Sequence, residues 1–223
     1  GLDHLTAALG NPKRPVLGIV GGSKVSTKID LLEHLVSKLD TLAIGGGMAN
    51  TFLFAQGHAV GVSYCEKDQA GAARAIMDAA KAAKCSLLLP VDTVVSVRME
   101  HGAPVFTRDL GELDEDERIL DAGPETVERL LGAMDRSATL IWNGPLGVFE
   151  IPPFDKATVD AAKHAAALAK AGKLIAVAGG GDTVSALNHA GVSGDFTFVS
   201  TAGGAVLDGM EGRTLPGVAA LEH

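Results

Sequence analysis

Cysteine is nearly absent from this 223-residue chain, with two in all. Cys65 and Cys85 lie far apart with no companion ligands, so neither a disulfide framework nor a zinc site is indicated. A reducing, cytoplasmic setting is expected. Positive charge is in deficit: 19 Lys and Arg stand against 27 Asp and Glu, a net charge of −8. Nucleic acid and anionic membrane surfaces both call for a basic face, so neither is an expected partner. No apolar run reaches the ~18 residues of a membrane span. Gly1-Leu2-Asp3-His4 does not read as a signal peptide. The seven histidines show neither ligand spacing nor H-E-x-x-H, which argues against a histidine-based metal or triad site.

Two phosphate-binding signatures are also missing. The chain has no G-x-x-x-x-G-K-[ST], and at Gly179-x-Gly181 the place of the last glycine in G-x-G-x-x-G is taken by Val184. A Walker-type NTPase and an NAD dehydrogenase are therefore disfavoured.

What is present is an ordinary globular composition, 47% hydrophobic and 21% charged. Glycine is the outlier, at 28 residues. One arrangement recurs: a short apolar run, then glycines, then a stretch of helical period. The runs are Val16–Val20, Thr41–Ile44, Ser86–Val91, Thr139–Trp142, Leu174–Ala178 and Phe196–Val199. They are continuous rather than alternating, as strands covered on both faces of a parallel sheet require. Helices are predicted over Asp30–Leu39 and Asp155–Lys170, with another opening at Gly123-Pro124-Glu125. A further one over Glu66–Ala83 is expected to start from a Ser63–Glu66 capping box. The fold class is α/β: residues 1–223 form a single doubly wound, three-layer, Rossmann-like domain with a mostly parallel six-stranded sheet. Val94 to Arg108 breaks the pattern and is assigned to a small antiparallel excursion. The acidic run Glu112–Glu117 reads as a solvated loop.

In an open α/β sheet, ligands bind beyond the carboxyl ends of the strands. Four strands end there in glycine turns: Gly21-Gly22-Ser23-Lys24, Gly45-Gly46-Gly47, Gly179-Gly180-Gly181-Asp182-Thr183 and Ser200-Thr201-Ala202-Gly203-Gly204. Glycine admits a close ligand, and each following helix offers free N–H groups and a positive dipole end. Close strand–helix crossings also favour glycine, but four such turns on one edge point to a site for several phosphates. Lys24 and Lys28, four apart where the first helix should begin, repel each other and oppose its dipole. A bound anion would turn both terms into attraction; otherwise they are two solvated surface lysines. Asp182 and Thr183 suit either a plain N-cap or magnesium with a phosphate oxygen. Glu150 is either a ribose-hydroxyl acceptor or an ordinary loop acid. Asn143-Gly144-Pro145 reads first as a turn.

Together these motifs resemble phosphoglycerate kinase, in its C-terminal, nucleotide-binding half. The resemblance is carried by Gly21 to Lys28, Gly45-Gly46-Gly47-Met48-Ala49, Leu89-Pro90-Val91-Asp92 and Asp121-Ala122-Gly123-Pro124. It continues through Trp142-Asn143-Gly144-Pro145-Leu146-Gly147-Val148-Phe149-Glu150, Gly179 to Thr183, Ser200 to Ala205, Glu211-Gly212 and Leu215-Pro216-Gly217-Val218, in family order. It implies reversible phosphoryl transfer between 1,3-bisphosphoglycerate and Mg-ADP, giving 3-phosphoglycerate and ATP in glycolysis. By the same resemblance, Lys28 contacts the nucleotide phosphates, Lys24 lies near the transferring group, and Gly203 and Gly204 start the helix facing it. Glu150 matches the ribose-binding acid. Gly180, Gly181, Asp182 and Thr183 match the phosphate loop, with Asp182 as the magnesium partner. Gly22, Gly45, Gly46, Asn143 and Pro145 match other nucleotide-binding positions.

Two departures stand out. Ala202 replaces a glycine usual in the family. The family's N-terminal, phosphoglycerate-binding domain has no counterpart in this sequence. The expectation is a chain that binds Mg-ADP or Mg-ATP but does not turn over alone; the competing reading is a non-catalytic nucleotide-binding module.

Overall fold

The computed structural model describes residues 11–200. Six parallel strands make the main sheet: β1 (Val16–Val20), β2 (Thr41–Ile44), β3 (Ser86–Leu88), β7 (Thr139–Asn143), β8 (Ile175–Ala178) and β9 (Phe198–Val199), in the order β3-β2-β1-β7-β8-β9. A second sheet is antiparallel and three-stranded: β4 (Asp92–Ser96), β5 (Phe106–Asp109) and β6 (Arg118–Ala122), in the order β5-β4-β6. Six α-helices lie among the described residues: α1 (Ile29–Val36), α2 (Gly46–Ala55), α3 (Ala70–Ala82), α4 (Pro124–Asp135), α5 (Lys156–Lys170) and α6 (Gly181–Ala190). None is long and apolar enough to cross a membrane.

Alternate residues of β1 enter opposite layers, which explains the unbroken apolar run. Val16 and Val20 pack with Leu32, Leu35, Phe52 and Ile76 of α1–α3. Leu17 and Ile19 pack with Leu130, Met134, Ala161 and Leu187 of α4–α6. The alanines of α5 face the core; Ala157, Ala161, Ala162 and Ala165 are at most 1% exposed. Small side chains there let the helix lie close to the sheet.

Several local readings change. The Ser63–Glu66 capping box does not form, because tertiary partners take both side chains: Ser63 Oγ accepts from Ile119 N at 2.8 Å, and the Glu66 carboxylate accepts from Ser26. A 3-10 turn at Lys67–Gln69 precedes α3 instead. β3 stops at Leu88, since the Val91 amide donates to Thr126 Oγ1 rather than to a ladder. The first helix ends at Val36, and β9 begins only at Phe198. The acidic run is not wholly solvated: Glu117 is 2% exposed and lies 3.0 Å from the Arg108 guanidinium. Helix α2 carries no periodic signal, because it is buried from Met48 to Leu53.

Asp92 and Gly123, both in motifs quoted above, act together. The Asp92 carboxylate accepts from Glu125 N and Thr126 N at 3.0 and 2.9 Å, satisfying the first turn of α4 from a neighbouring strand. A Cβ on Gly123 would sit 2.2 Å from Asp92 Cγ, so only glycine leaves room.

Candidate functional site

All six parallel strands point their carboxyl ends to one edge, and the loops leaving β1, β2, β7 and β8 interlock. The Gly21 amide donates to Asn143 O at 2.9 Å, and the Met48 amide to Gly22 O at 2.9 Å. A Cβ on Gly21 would fall 1.9 Å from Pro145 O. Gly46 has φ +70, and its Cβ would fall 2.5 Å from Gly22 O. These glycines are therefore required by loop-on-loop packing. Gly181 differs: among the described residues nothing lies within 4 Å of where its Cβ would stand.

Lys28 is brought to the meeting point of three loops. Its ammonium donates to Gly21 O at 2.8 Å and to Asn143 Oδ1 at 3.2 Å. Burial pushes its pKa down, with the Asp182 carboxylate acting in the opposite sense. The lysine is thus relieved by acceptors distant in sequence. Both direct acceptors are neutral, and the opposing charge comes from Asp182.

Lys24 sits apart from that junction. It is exposed and precedes a 3-10 turn, Val25–Thr27, not a helix proper. Glu66 occupies the amide end of this turn, accepting from Ser26 N at 3.2 Å and from Ser26 Oγ at 2.5 Å. Burial pushes the Glu66 carboxyl up, but the bonds from Ser26 and Val25 and the Lys24 charge outweigh it and hold the group below its ordinary range. A carboxylate of the protein itself therefore fills the position that the sequence offers to a ligand.

At the other glycine turn, Gly180 takes φ +100 and is the N-cap of α6. Asp182 and Thr183 are consequently inside the first turn rather than capping it. Thr183 is 1% exposed, and its Oγ1 accepts from Gly144 N at 2.6 Å. Asn143 Nδ2 donates to Gly179 O at 2.9 Å, which joins the same two loops again. Asp182 is exposed in the first turn of α6. Among the described residues no three His, Cys, Asp or Glu side chains cluster as a metal cage. A lone exposed carboxylate such as Asp182 fits Mg²⁺, which keeps several waters, better than a cation that needs a full protein cage.

A cleft of about 480 Å³ runs along this edge. Gly22, Gly45, Gly46, Pro145, Glu150 and Asp182 all line it. Asn143 and Lys28 do not line it; they meet each other at 3.2 Å beside the Gly21-Gly22 turn. Gly180, Gly181 and Thr183 belong to the adjoining turn. Gly203 and Gly204, with Ala202 and the motifs beyond, lie outside the described residues.

The opposite wall escaped the sequence reading. It is built from Ile119, Leu120 and Asp121 of β6, with Tyr64 and Met99 at the rim. Tyr64 and Met99 are about half exposed, at 49% and 47%. Asp121 is 3% exposed, and its Oδ1 is buried without a hydrogen-bond partner among the described residues. Burial pushes its carboxyl up to about 8, against the opposing bond from the Ala157 amide. Only its place in Asp121-Ala122-Gly123-Pro124 drew notice to it in the sequence.

Comparison with known proteins gives one consistent result. The family model described as phosphoglycerate kinase matches residues 1–213. A phosphoglycerate kinase of Caulobacter vibrioides is 73% identical over 221 residues, which cover 99% of this chain and 56% of that protein. The phosphoglycerate kinase of Maricaulis maris is 62% identical over 220 residues, 99% of this chain and 55% of that protein. The solved structure of phosphoglycerate kinase from Coxiella burnetii superposes with a TM-score of 0.87 at 41% identity, covering 99% of this chain and 56% of that one. The chain spans about half the length of the curated relatives it matches.

Proposed function

Since the chain belongs to the phosphoglycerate kinase family, we propose that it supplies the magnesium–nucleotide site for phosphoryl transfer between 1,3-bisphosphoglycerate and ADP. In that reaction the acyl-phosphate P–O bond breaks, a bond to the ADP β-phosphate forms, and 3-phosphoglycerate and ATP result. The observation that carries the reading is the Lys28 ammonium, half-buried at the loop junction and hydrogen-bonded only to neutral oxygens. Asp182 attracts that charge without a hydrogen bond to it among the described residues, so an arriving phosphate would add a direct charge-assisted contact.

Lys28 binds the nucleotide phosphates, and Lys24, on the exposed side of the same loop, reaches toward the transferring group. Gly180, Gly181 and the α6 first-turn amides take further phosphate oxygens, the open space at Gly181 allowing close approach. Asp182 holds Mg²⁺, which supplies charge neutralisation at the phosphates. Glu150 accepts from the ribose hydroxyls, while Gly22, Gly45, Gly46 and Pro145 form the pocket wall and Asn143 joins the loops beside it. Gly203 and Gly204 are assigned a part in binding the transferring group on resemblance alone, since they lie outside the described residues. Phosphoryl transfer asks a protein mainly to position groups and neutralise charge, so no covalent nucleophile is needed. Phosphoglycerate itself is bound by the half of the family's fold that this chain does not span. Both described cysteines are free thiols, which supports a cytoplasmic setting.

The test is a chimera. This chain replaces the matching segment of the Caulobacter vibrioides relative, and ATP formation from 1,3-bisphosphoglycerate and ADP is measured. Turnover by the chimera, with none from the chain alone, supports the proposal. A chimera that folds and binds ADP without turnover supports the non-catalytic module instead.

A further inference from the structure

Asp121, one of whose carboxyl oxygens lacks a partner among the described residues, is a buried acidic group of the cleft wall with no assigned part in the nucleotide site. Its Oδ2 accepts from Ala157 N at 3.0 Å, in the first turn of α5. The helix's own N-cap, Asp155, makes no side-chain cap bond and is paired instead with His189 at 2.8 Å. Asp121 thus satisfies α5 from the strand below it.

The other oxygen, Oδ1, has no donor among the described residues. It lies beneath the 144–150 loop: a Cβ on Gly147 would fall 2.3 Å from Oδ1 and 2.7 Å from Leu120 O. Val148 N donates to that same Leu120 O at 3.0 Å. The loop that carries Pro145 and Glu150 therefore rests directly on Asp121.

Lys156 attracts a charge there and the Ala157 and Ala122 amides favour it, but that lysine is exposed and bound to Asp160, and burial outweighs them. Asp155 and Asp160 are like-charged and oppose ionisation, and each is already paired, with His189 and Lys156 respectively. Helix α2, also packed on β6, contains no titratable residue. Asp92 of β4 is committed to the first turn of α4, and Glu150 is exposed at the loop's end. An ionised Asp121 would be a buried charge held only by backbone amides and a solvated lysine among the described residues.

We propose that Asp121 works as a neutral carboxylic acid and, in that form, positions the 144–150 loop and its Glu150 for the nucleotide. The positioning role rests on the nucleotide reading; the neutral state does not. Losing the proton puts a charge under the loop and loosens its seat on β6. Its carboxyl, pushed up to about 8 by burial, places that loss just above neutrality.

The experiment uses the 223-residue chain and D121N, which keeps an acceptor for Ala157 N and cannot ionise. Infrared spectroscopy reads the carbonyl band of a protonated carboxyl. The native chain should show it at neutral pH and lose it with a midpoint near about 8, and D121N should lack it. Calorimetry with Mg-ADP adds a pH profile. Native affinity should hold below this midpoint and fall above it, by at most about tenfold per pH unit, while D121N stays level and within about threefold of native near neutrality. A folded native chain with no such band overturns the proposal, as does a D121N profile that falls with the native one. Should D121N fail to fold, the native band and native profile decide alone. A native chain that binds no Mg-ADP sinks the nucleotide reading and the positioning role with it, while the band still decides the neutral acid.

Discussion

Thr183 Oγ1 accepts a hydrogen bond from the Gly144 amide at 2.6 Å, although 39 residues separate the two. This contact locks the first turn of α6 to the loop leaving β7, and Asn143 Nδ2 doubles the link at Gly179 O. Two glycine turns that the sequence presents separately are in this way one rigid corner, with Lys28 closing it from the third side.

Replacing Thr183 by valine keeps the shape and leaves the buried Gly144 amide unpaired. The expected cost is about 1–3 kcal/mol of unfolding free energy. Thr183→Ser should recover most of it. Chemical denaturation of both variants checks this; equal stability of T183V and the native chain would show that the bond contributes nothing.

The Asp92→Ala change removes the carboxylate that satisfies Glu125 N and Thr126 N at the head of α4. Asp92 is 4% exposed, so water cannot readily take its place. A loss of about 2–4 kcal/mol is expected, measured as a shifted urea midpoint with an unchanged slope. A loss comparable to that of an exposed surface substitution would contradict this assignment.

These two contacts also show what could be read in advance. The parallel strands were legible because each apolar run serves two layers at once, as Val16 and Leu17 do. The glycine turns and Lys28 were legible because their residue types are costly without a reason. Helix α2 was not, since burial from Met48 to Leu53 erases any amphipathic period. The false capping box at Ser63 and Glu66 has a similar origin: the spacing was right, but Ile119 and Ser26 claimed the side chains. The second cleft wall depends on where the small sheet docks. No local pattern brings Tyr64, Met99 and Asp121 to one cleft.

The Arg108–Glu117 pair predicts an acid-sensitive contribution to stability. The guanidinium holds the Glu117 carboxyl below its ordinary 4.5, against the upward push of burial. Folding therefore favours the ionised form. That contribution is present in full above the unfolded value and drains away as pH falls through the folded one. Arg108→Met should lower the melting temperature at neutral pH and narrow the gap to the native chain as the pH drops below about 4.5. Thermal scans across that range check it; a gap that is constant with pH would contradict the pairing.

The central claim is that the Lys28 corner binds a nucleoside diphosphate, and calorimetric titration of Mg-ADP into the native chain and K28M tests it most directly. Saturable one-to-one binding by the native chain is predicted, weakened about 10- to 100-fold in K28M through loss of a charge-assisted phosphate contact. The fold of K28M should be as stable as the native one or more so, because the substitution removes a desolvated ammonium. Flat heats from the folded native chain, or equal affinity in the two proteins, would contradict the account.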